Sequence, residues 1–387
     1  MFDKIVKKSV LDSIKNIEYG ELTLTTPENE TIYTRGPKKG QKADIRIKDW
    51  RTFINLKLKS DVGFSADYRD GYWETSDLKK LIQFGLENEN VFSDYLKPSM
   101  LHNLLQKLGY LTKRNSIKQS KKNINVHYDL GNDFYSLWLD KTMTYSSALF
   151  NEDAETLEQA QINKYKNIIN SFDKKEASIL EVGCGWGGFA EVALENNDYL
   201  LKGITLSVEQ HKYATDRLKD KKANIVIEDY RIQQGKYDYI VSIEMIEAVG
   251  KEYWNTYFSK LKSLLKYNGK IVIQSIVIAD ELYKSYAKST DMIRTFIFPG
   301  GFLPSQEQIL KQLANVGLKC TNVTSFGKDY AKTLDIWHKS FCDKEHQLKK
   351  LGFDKSFQRM WEFYLTSCSA AFESNRIDVI QLEIEHV

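Results

Sequence analysis

Only 5 prolines and 4 cysteines occur in 387 residues. With so little proline, and with Leu, Ile and Val abundant, a wholly disordered or collagen-like chain is excluded. The cysteines, Cys184, Cys320, Cys342 and Cys368, lie far apart, with no C-x-x-C pair and no histidine cluster beside them. That argues against a zinc site or a disulfide framework and fits a reducing cytosol. Long apolar runs are also missing: the longest, Ile271 to Ala279, is broken by Gln274 and Ser275 and falls short of the roughly 20 residues a spanning helix needs. The first residues are basic but never reach an apolar core, so no secretory signal is expected. Any encounter with a membrane is therefore expected at its surface, on the cytoplasmic face.

A strong net charge is lacking too, since 55 Lys and Arg stand against 52 Asp and Glu. The balance is uneven, however: residues 1–125 hold 23 basic and 16 acidic side chains, a net of +7, leaving −4 for the rest. Lys113, Arg114, Lys118, Lys121 and Lys122 crowd one short segment without an acidic or aromatic neighbour. Without interleaved aromatics this strip does not suit nucleic acid. It reads as a basic linker over 111–124, able to touch anionic lipid head groups, between a small domain over 1–110 and a larger one over 125–387.

What is present is periodicity. Helical spacing over 1–20 and 77–110 flanks alternating stretches at 21–25 and 44–48, separated by the turn-rich Pro37 to Gly40, so the front reads as a small α+β unit. From 176 onward, strand patterns at 177–182, 200–206, 224–227, 237–243 and 269–278 alternate with helical ones such as 208–219 and 253–267. Such alternation predicts a parallel sheet covered on both faces, a doubly wound Rossmann-like α/β domain. At its first strand-to-helix turn stands Glu181-Val182-Gly183-Cys184-Gly185-Trp186-Gly187-Gly188, where glycines let the backbone approach a nucleotide. The spacing is G-x-G-x-G, and no acidic ribose ligand follows about 20 residues on, where Gly203 to Ser207 lie. This disfavours NAD and favours S-adenosylmethionine.

Further segments carry a resemblance. His127-Tyr128-Asp129-Leu130-Gly131-Asn132-Asp133-Phe134-Tyr135, Thr144-Tyr145-Ser146-Ser147-Ala148, Gly203-Ile204-Thr205-Leu206-Ser207 with Gln210, Phe298-Pro299-Gly300-Gly301 with Leu303-Pro304-Ser305, and Arg359-Met360-Trp361 with Phe363-Tyr364-Leu365 occur in order. Together they resemble the cyclopropane-fatty-acyl-phospholipid synthase family, which includes the mycolic acid cyclopropane synthases. The segment from Gly63 to Trp73 resembles, more weakly, the small N-terminal domain of its longer bacterial members. The resemblance implies a class I methyltransferase fold, with Tyr145, Ser146, Gly183, Gly185, Gly187, Thr205, Gln210, Asp229 and Tyr230 around S-adenosylmethionine. It implies an unsaturated phospholipid at a membrane surface as substrate, no metal, and peripheral attachment to the inner face; a homodimer stays open. Phe134, Tyr135, Phe296, Phe298, Trp361, Phe363 and Tyr364 are candidate walls for a cationic intermediate.

The same resemblance implies a bicarbonate ion that takes the final proton, held by residues matching Glu247, Tyr330 and Ile276. Two matching positions depart from the family: Ser147 stands where a Cys contributes its backbone, and Gln274 where a His is usual. Gln donates a hydrogen bond but carries no positive charge. Three outcomes stay open: bicarbonate bound through Gln274, Glu247 as the base itself, or a methyl-branched or methylene product. Glu244, three residues before Glu247 and just past a predicted strand, could join either scheme, but reads first as a structural or capping carboxylate. Two rival readings are a non-catalytic lipid or S-adenosylmethionine binder and a methyltransferase of a water-soluble molecule.

Overall fold

The computed structural model describes residues 2–92, 130–195 and 197–387. The basic linker at 111–124, the end of the helical pattern over 77–110, and His127 to Asp129 lie outside them. The chain divides into two compact units, one of Met1–Thr112, Ser285–Ile297 and Phe341–Ser374, the other of Lys113–Lys284, Phe298–Ser340 and Asn375–Val387.

The first unit holds strands β1 (Tyr19–Thr25), β2 (Thr31–Arg35), β3 (Lys38–Ile47) and β4 (Trp73–Glu74) in the order β2-β1-β3-β4, with β1 and β3 parallel. The alternation over 21–25 buries Leu22 and Leu24 on one face. Strand β3 begins inside the stretch read as a turn, because its first residues are exposed and carry no apolar signal. The helix Arg51–Arg69 also escapes a periodicity search: Ser60, at φ +55°, breaks it and turns its apolar stripe. Past that break the Gly63–Trp73 segment closes an aromatic cluster with the helix Lys355–Glu373. Phe64 stacks on Trp73 at 4.2 Å, Phe363 meets Tyr68 at 5.7 Å, and the Arg359 guanidinium lies 3.9 Å from the Tyr68 ring centre.

The second unit carries seven strands: β5 (Glu176–Val182), β6 (Asp198–Thr205), β7 (Ala223–Ile227), β8 (Tyr237–Ile243), β9 (Leu265–Ile278), β10 (Leu318–Ser325) and β11 (Ile377–His386). Their order is β10-β11-β9-β8-β5-β6-β7. The five strands from β5 to β9 are parallel. The wholly parallel expectation needs correcting at the far edge, where β11 lies antiparallel to both β9 and β10. Most of β10 is exposed, as an edge strand can be, so its sequence shows little apolar run. Ile179, Val241 and Val272 are among the buried side chains of this sheet, each contributing about 1.5–3 kcal/mol. Connections leave β5 toward β6 on one side and reach β8 on the other, so a crevice opens at the carboxyl ends of these strands.

Candidate active site

That crevice is an open cleft with a cavity volume of about 160 Å³. Its floor is the glycine turn. Gly183, Gly185 and Gly187 have φ of +83°, +52° and +82°, values that an L side chain rarely adopts. Gly183 and Gly185 line the cleft, and so does Gly188; Gly187 does not, because it turns toward Leu218 and Ala214.

Beside the turn, Ser207 caps the helix Val208–Arg217, its hydroxyl accepting from the Gln210 N–H at 3.2 Å. The Gln210 side chain does not return to the cap, as a reciprocal capping box would have it. Its Oε1 accepts from the Thr205 hydroxyl at 2.8 Å, which leaves the amide nitrogen for the cleft. Tyr230 lines the cleft as well, and its buried hydroxyl has no partner among the described residues. Asp229 does not line it: its carboxylate is tied to the Arg231 guanidinium at 2.6 Å. Glu228 takes that place, held by Lys202 at 2.8 Å. Glu181 also faces the cleft with a buried, unpartnered Oε2, and burial pushes its carboxyl well above the ordinary range.

Tyr145 and Ser146 form the opposite wall. The Tyr145 ring packs 5.5 Å from Tyr135 and Trp138, 5.4 Å from Trp337 and, stacked, 6.4 Å from Phe298. Of the other aromatics expected near a cation, Phe134 joins this group beside Tyr135 at 5.1 Å. Phe296, Trp361, Phe363 and Tyr364 belong to the other unit. The Ser146 hydroxyl accepts from Lys164 Nζ at 2.6 Å, and Lys164 also donates to Gln161 Oε1 at 2.7 Å. Full burial lowers the Lys164 pKa to about 7. Sequence reading missed Lys164 and Gln161, although both fall on the buried stripe of the helix Leu157–Asn170 with Ala160, Tyr165 and Ile168.

The residues expected to ring one ion sort onto two carboxylates. Glu247 Oε1 accepts from the Ile276 N–H at 2.5 Å and the Ser275 hydroxyl at 3.2 Å, while its buried Oε2 has no partner among the described residues. Burial and then the negative charge of Glu244 raise the Glu247 pKa to about 8. Glu244 caps no helix. Its Oε1 accepts from the Ser147 N–H at 2.9 Å and the Gln274 amide at 2.8 Å, and its Oε2 from the Tyr330 hydroxyl at 2.7 Å. Burial raises the Glu244 pKa, and Lys164 and these three donors oppose the rise. Bicarbonate does not fit here, because three of its expected donors are engaged by Glu244. A second anion about 4 Å away would also be repelled by about 4 kcal/mol at an effective dielectric of 20. Gln274 is held in turn by Gln381, another residue that sequence reading passed over.

Comparison with known proteins agrees with this architecture. A family model described as mycolic acid cyclopropane synthetase matches residues 115–382. The cyclopropane-fatty-acyl-phospholipid synthase of Escherichia coli is 34% identical over 358 residues, 88% of this chain and 87% of its own. The tuberculostearic acid methyltransferase of Mycobacterium tuberculosis is 34% identical over 336 residues, 83% of this chain and 78% of its own. Among solved structures, a mycolic acid cyclopropane synthase complexed with SAH and CTAB superposes with a TM-score of 0.65 at 31% identity, covering 68% of this chain and 97% of its own. Among the described residues no helix is long and apolar enough to cross a membrane. The chain therefore belongs to the mycolic acid cyclopropane synthetase family and is a methyltransferase of the cyclopropane-fatty-acyl-phospholipid synthase type.

Proposed function

We propose that the protein adds one carbon across the cis double bond of an unsaturated phospholipid acyl chain, using S-adenosylmethionine and giving a cyclopropane ring. The observation that carries this reading is a glycine-floored cleft with open polar groups on one wall, an aromatic wall opposite, and a buried carboxylate, Glu244, at its edge. The orphaned Glu181 Oε2, the orphaned Tyr230 hydroxyl and the open amide of Gln210 fit a polar cofactor, since buried polar atoms rarely stay unpaired.

Tyr145, Ser146, Gly183, Gly185, Thr205, Gln210 and Tyr230 would hold that cofactor, with Gly187 and Asp229 shaping the backbone behind them. Bound there, S-adenosylmethionine supplies an electrophilic methyl group to the alkene. The chain's own contribution is electrostatic. Tyr145 and the rings packed on it offer electron-rich faces to the substrate cation, at about 0.5–2 kcal/mol per contact. A base is then needed for the proton that leaves as the ring closes.

A second reading, a methyl-branched product, is favoured by one observation: identity to the tuberculostearic acid methyltransferase equals that to the cyclopropane synthase, at 34%. Proton NMR and mass spectrometry of lipids from cells expressing the protein separate the two. Ring protons support the first reading, and a methyl branch without them supports the second. Absence of S-adenosylhomocysteine formation with unsaturated phospholipid vesicles would leave only a non-catalytic binder. Turnover without lipid would point to a soluble substrate. In keeping with its proposed substrate, the enzyme works peripherally on the cytoplasmic face of a membrane.

A further inference from the structure

Donors expected around a free ion converge instead on a side chain of the protein. Glu244 accepts from Ser147 N–H, Gln274 and Tyr330 through both carboxylate oxygens, the same two-oxygen face that bicarbonate would present. Its backbone gives a second, independent sign. Glu244 has φ +49°, a left-handed conformation that is unfavourable for a non-glycine residue and persists where the surroundings over-determine it, as in active sites.

Resting on the lipid reading above, we propose that Glu244 is the general base of the reaction, a built-in carboxylate that stands where bicarbonate would bind. In this step a C–H bond of the newly attached methyl group breaks, and its electron pair forms the third ring bond to the cationic carbon. The proton passes to the Glu244 carboxylate, which becomes the acid and later returns it to solvent. No further reactant is required.

Glu247 suits the task less well. It does not line the cleft, whereas Glu244 does. Gln274 fits the same scheme: the carboxylate brings its own charge, so a neutral donor beside it is enough.

The test uses the full chain with unsaturated phospholipid vesicles in bicarbonate-free buffer, together with NMR titration of 13C-bicarbonate, which needs no turnover. Wild type is expected to run at the same rate with and without bicarbonate and to show no bound ion. Glu244→Gly, on a backbone that already suits glycine, should fold normally. Its kcat should fall by roughly 10²–10⁴ in bicarbonate-free buffer. It should bind 13C-bicarbonate in the vacated niche and recover turnover when the ion is added, most of all combined with Gln274→His. Glu244→Gln, which fills the niche without basicity, should fall equally and resist rescue.

Wild-type dependence on bicarbonate, or either single variant at the wild-type rate without it, would overturn the assignment. If wild type makes no lipid product at all, the lipid reading fails instead. The titration still decides the niche, since bicarbonate bound to wild type overturns the placement of Glu244.

Discussion

Gln381 donates its side-chain amide to Oε1 of Gln274 at 2.9 Å, between residues that face each other across β11 and β9. Asn167 donates to Gln381 Oε1 at 2.7 Å in the same direction. The three amides thus form a relay whose last NH₂ group has one acceptor ahead of it, the Glu244 carboxylate. Orientation, which a free glutamine would choose for itself, is here imposed from the neighbouring strand.

Replacing Gln381 by Glu offers Gln274 an acceptor instead of a donor, so its amide should turn round and present a carbonyl to Glu244. A fall in kcat of about tenfold, or about 1.4 kcal/mol, is expected. The acid limb of the pH–rate profile should move to higher pH, because the ionised carboxylate has lost a donor. An unchanged profile with only a lower melting temperature would reduce Gln381 to a packing residue.

Glu247 makes stability depend on pH in a defined direction. Its pKa in the fold is about 8 against an ordinary 4.5, so between these values the folded state keeps a proton that the unfolded chain has released. The stabilisation is complete below about 4.5 and is lost as pH rises through 8. Glu247→Gln lacks this titration. Urea midpoints of the two proteins across that window should therefore diverge in favour of the variant as pH rises; a constant difference would contradict the buried environment described for Glu247.

The two flanks of the glycine turn should separate stability from binding. Gly185→Ala and Gly187→Ala each force an alanine to positive φ, costing roughly 1–2 kcal/mol. Only Gly185 lines the cleft, where a new Cβ meets open space, whereas at Gly187 it would stand 3.1 Å from Leu218 Cδ1. Calorimetry with S-adenosylhomocysteine should show weaker binding for the Gly185 variant alone. Equal losses in both would mean that the turn acts only through its backbone shape.

Membrane attachment should be electrostatic. Neutralising Lys113, Arg114, Lys118, Lys121 and Lys122 should weaken binding to anionic vesicles by up to about 1 kcal/mol per residue, and added salt should do the same to the wild type. Sedimentation with vesicles at two ionic strengths measures both. Binding indifferent to charge and salt would leave the basic excess of the front segment as a solubility feature.

Much of the cleft was legible in the sequence because its parts are local. The glycine turn announces itself through spacing within one strand-to-helix connection, whereas Thr205, Gln210, Tyr330 and Glu247 were picked out only through motifs that resemble the family's. Sequence allowed Glu244 a place beside Glu247 but not the convergence on it, since that depends on donors from positions 147, 274 and 330 meeting at one carboxylate. Lys164 hid as a cation on a helix face that only folding shows to be buried. Gln381 lies on β11, whose antiparallel pairing with β9 no local pattern reveals.

The unit that opens the chain cannot complete its core until nearly the whole chain has been made. Its aromatic cluster joins Phe64, Tyr68 and Trp73 to Phe363, a partner almost three hundred residues downstream. During synthesis at about 5–20 residues per second, the leading segment must wait with these rings uncovered while the parallel strands β5 to β9 of the other unit can already be made. Closing so large a loop is entropically slow. A fragment ending near residue 112 would therefore lack part of its own interior, so dissection of this enzyme by truncation should keep the helix Lys355–Glu373 with the front of the chain.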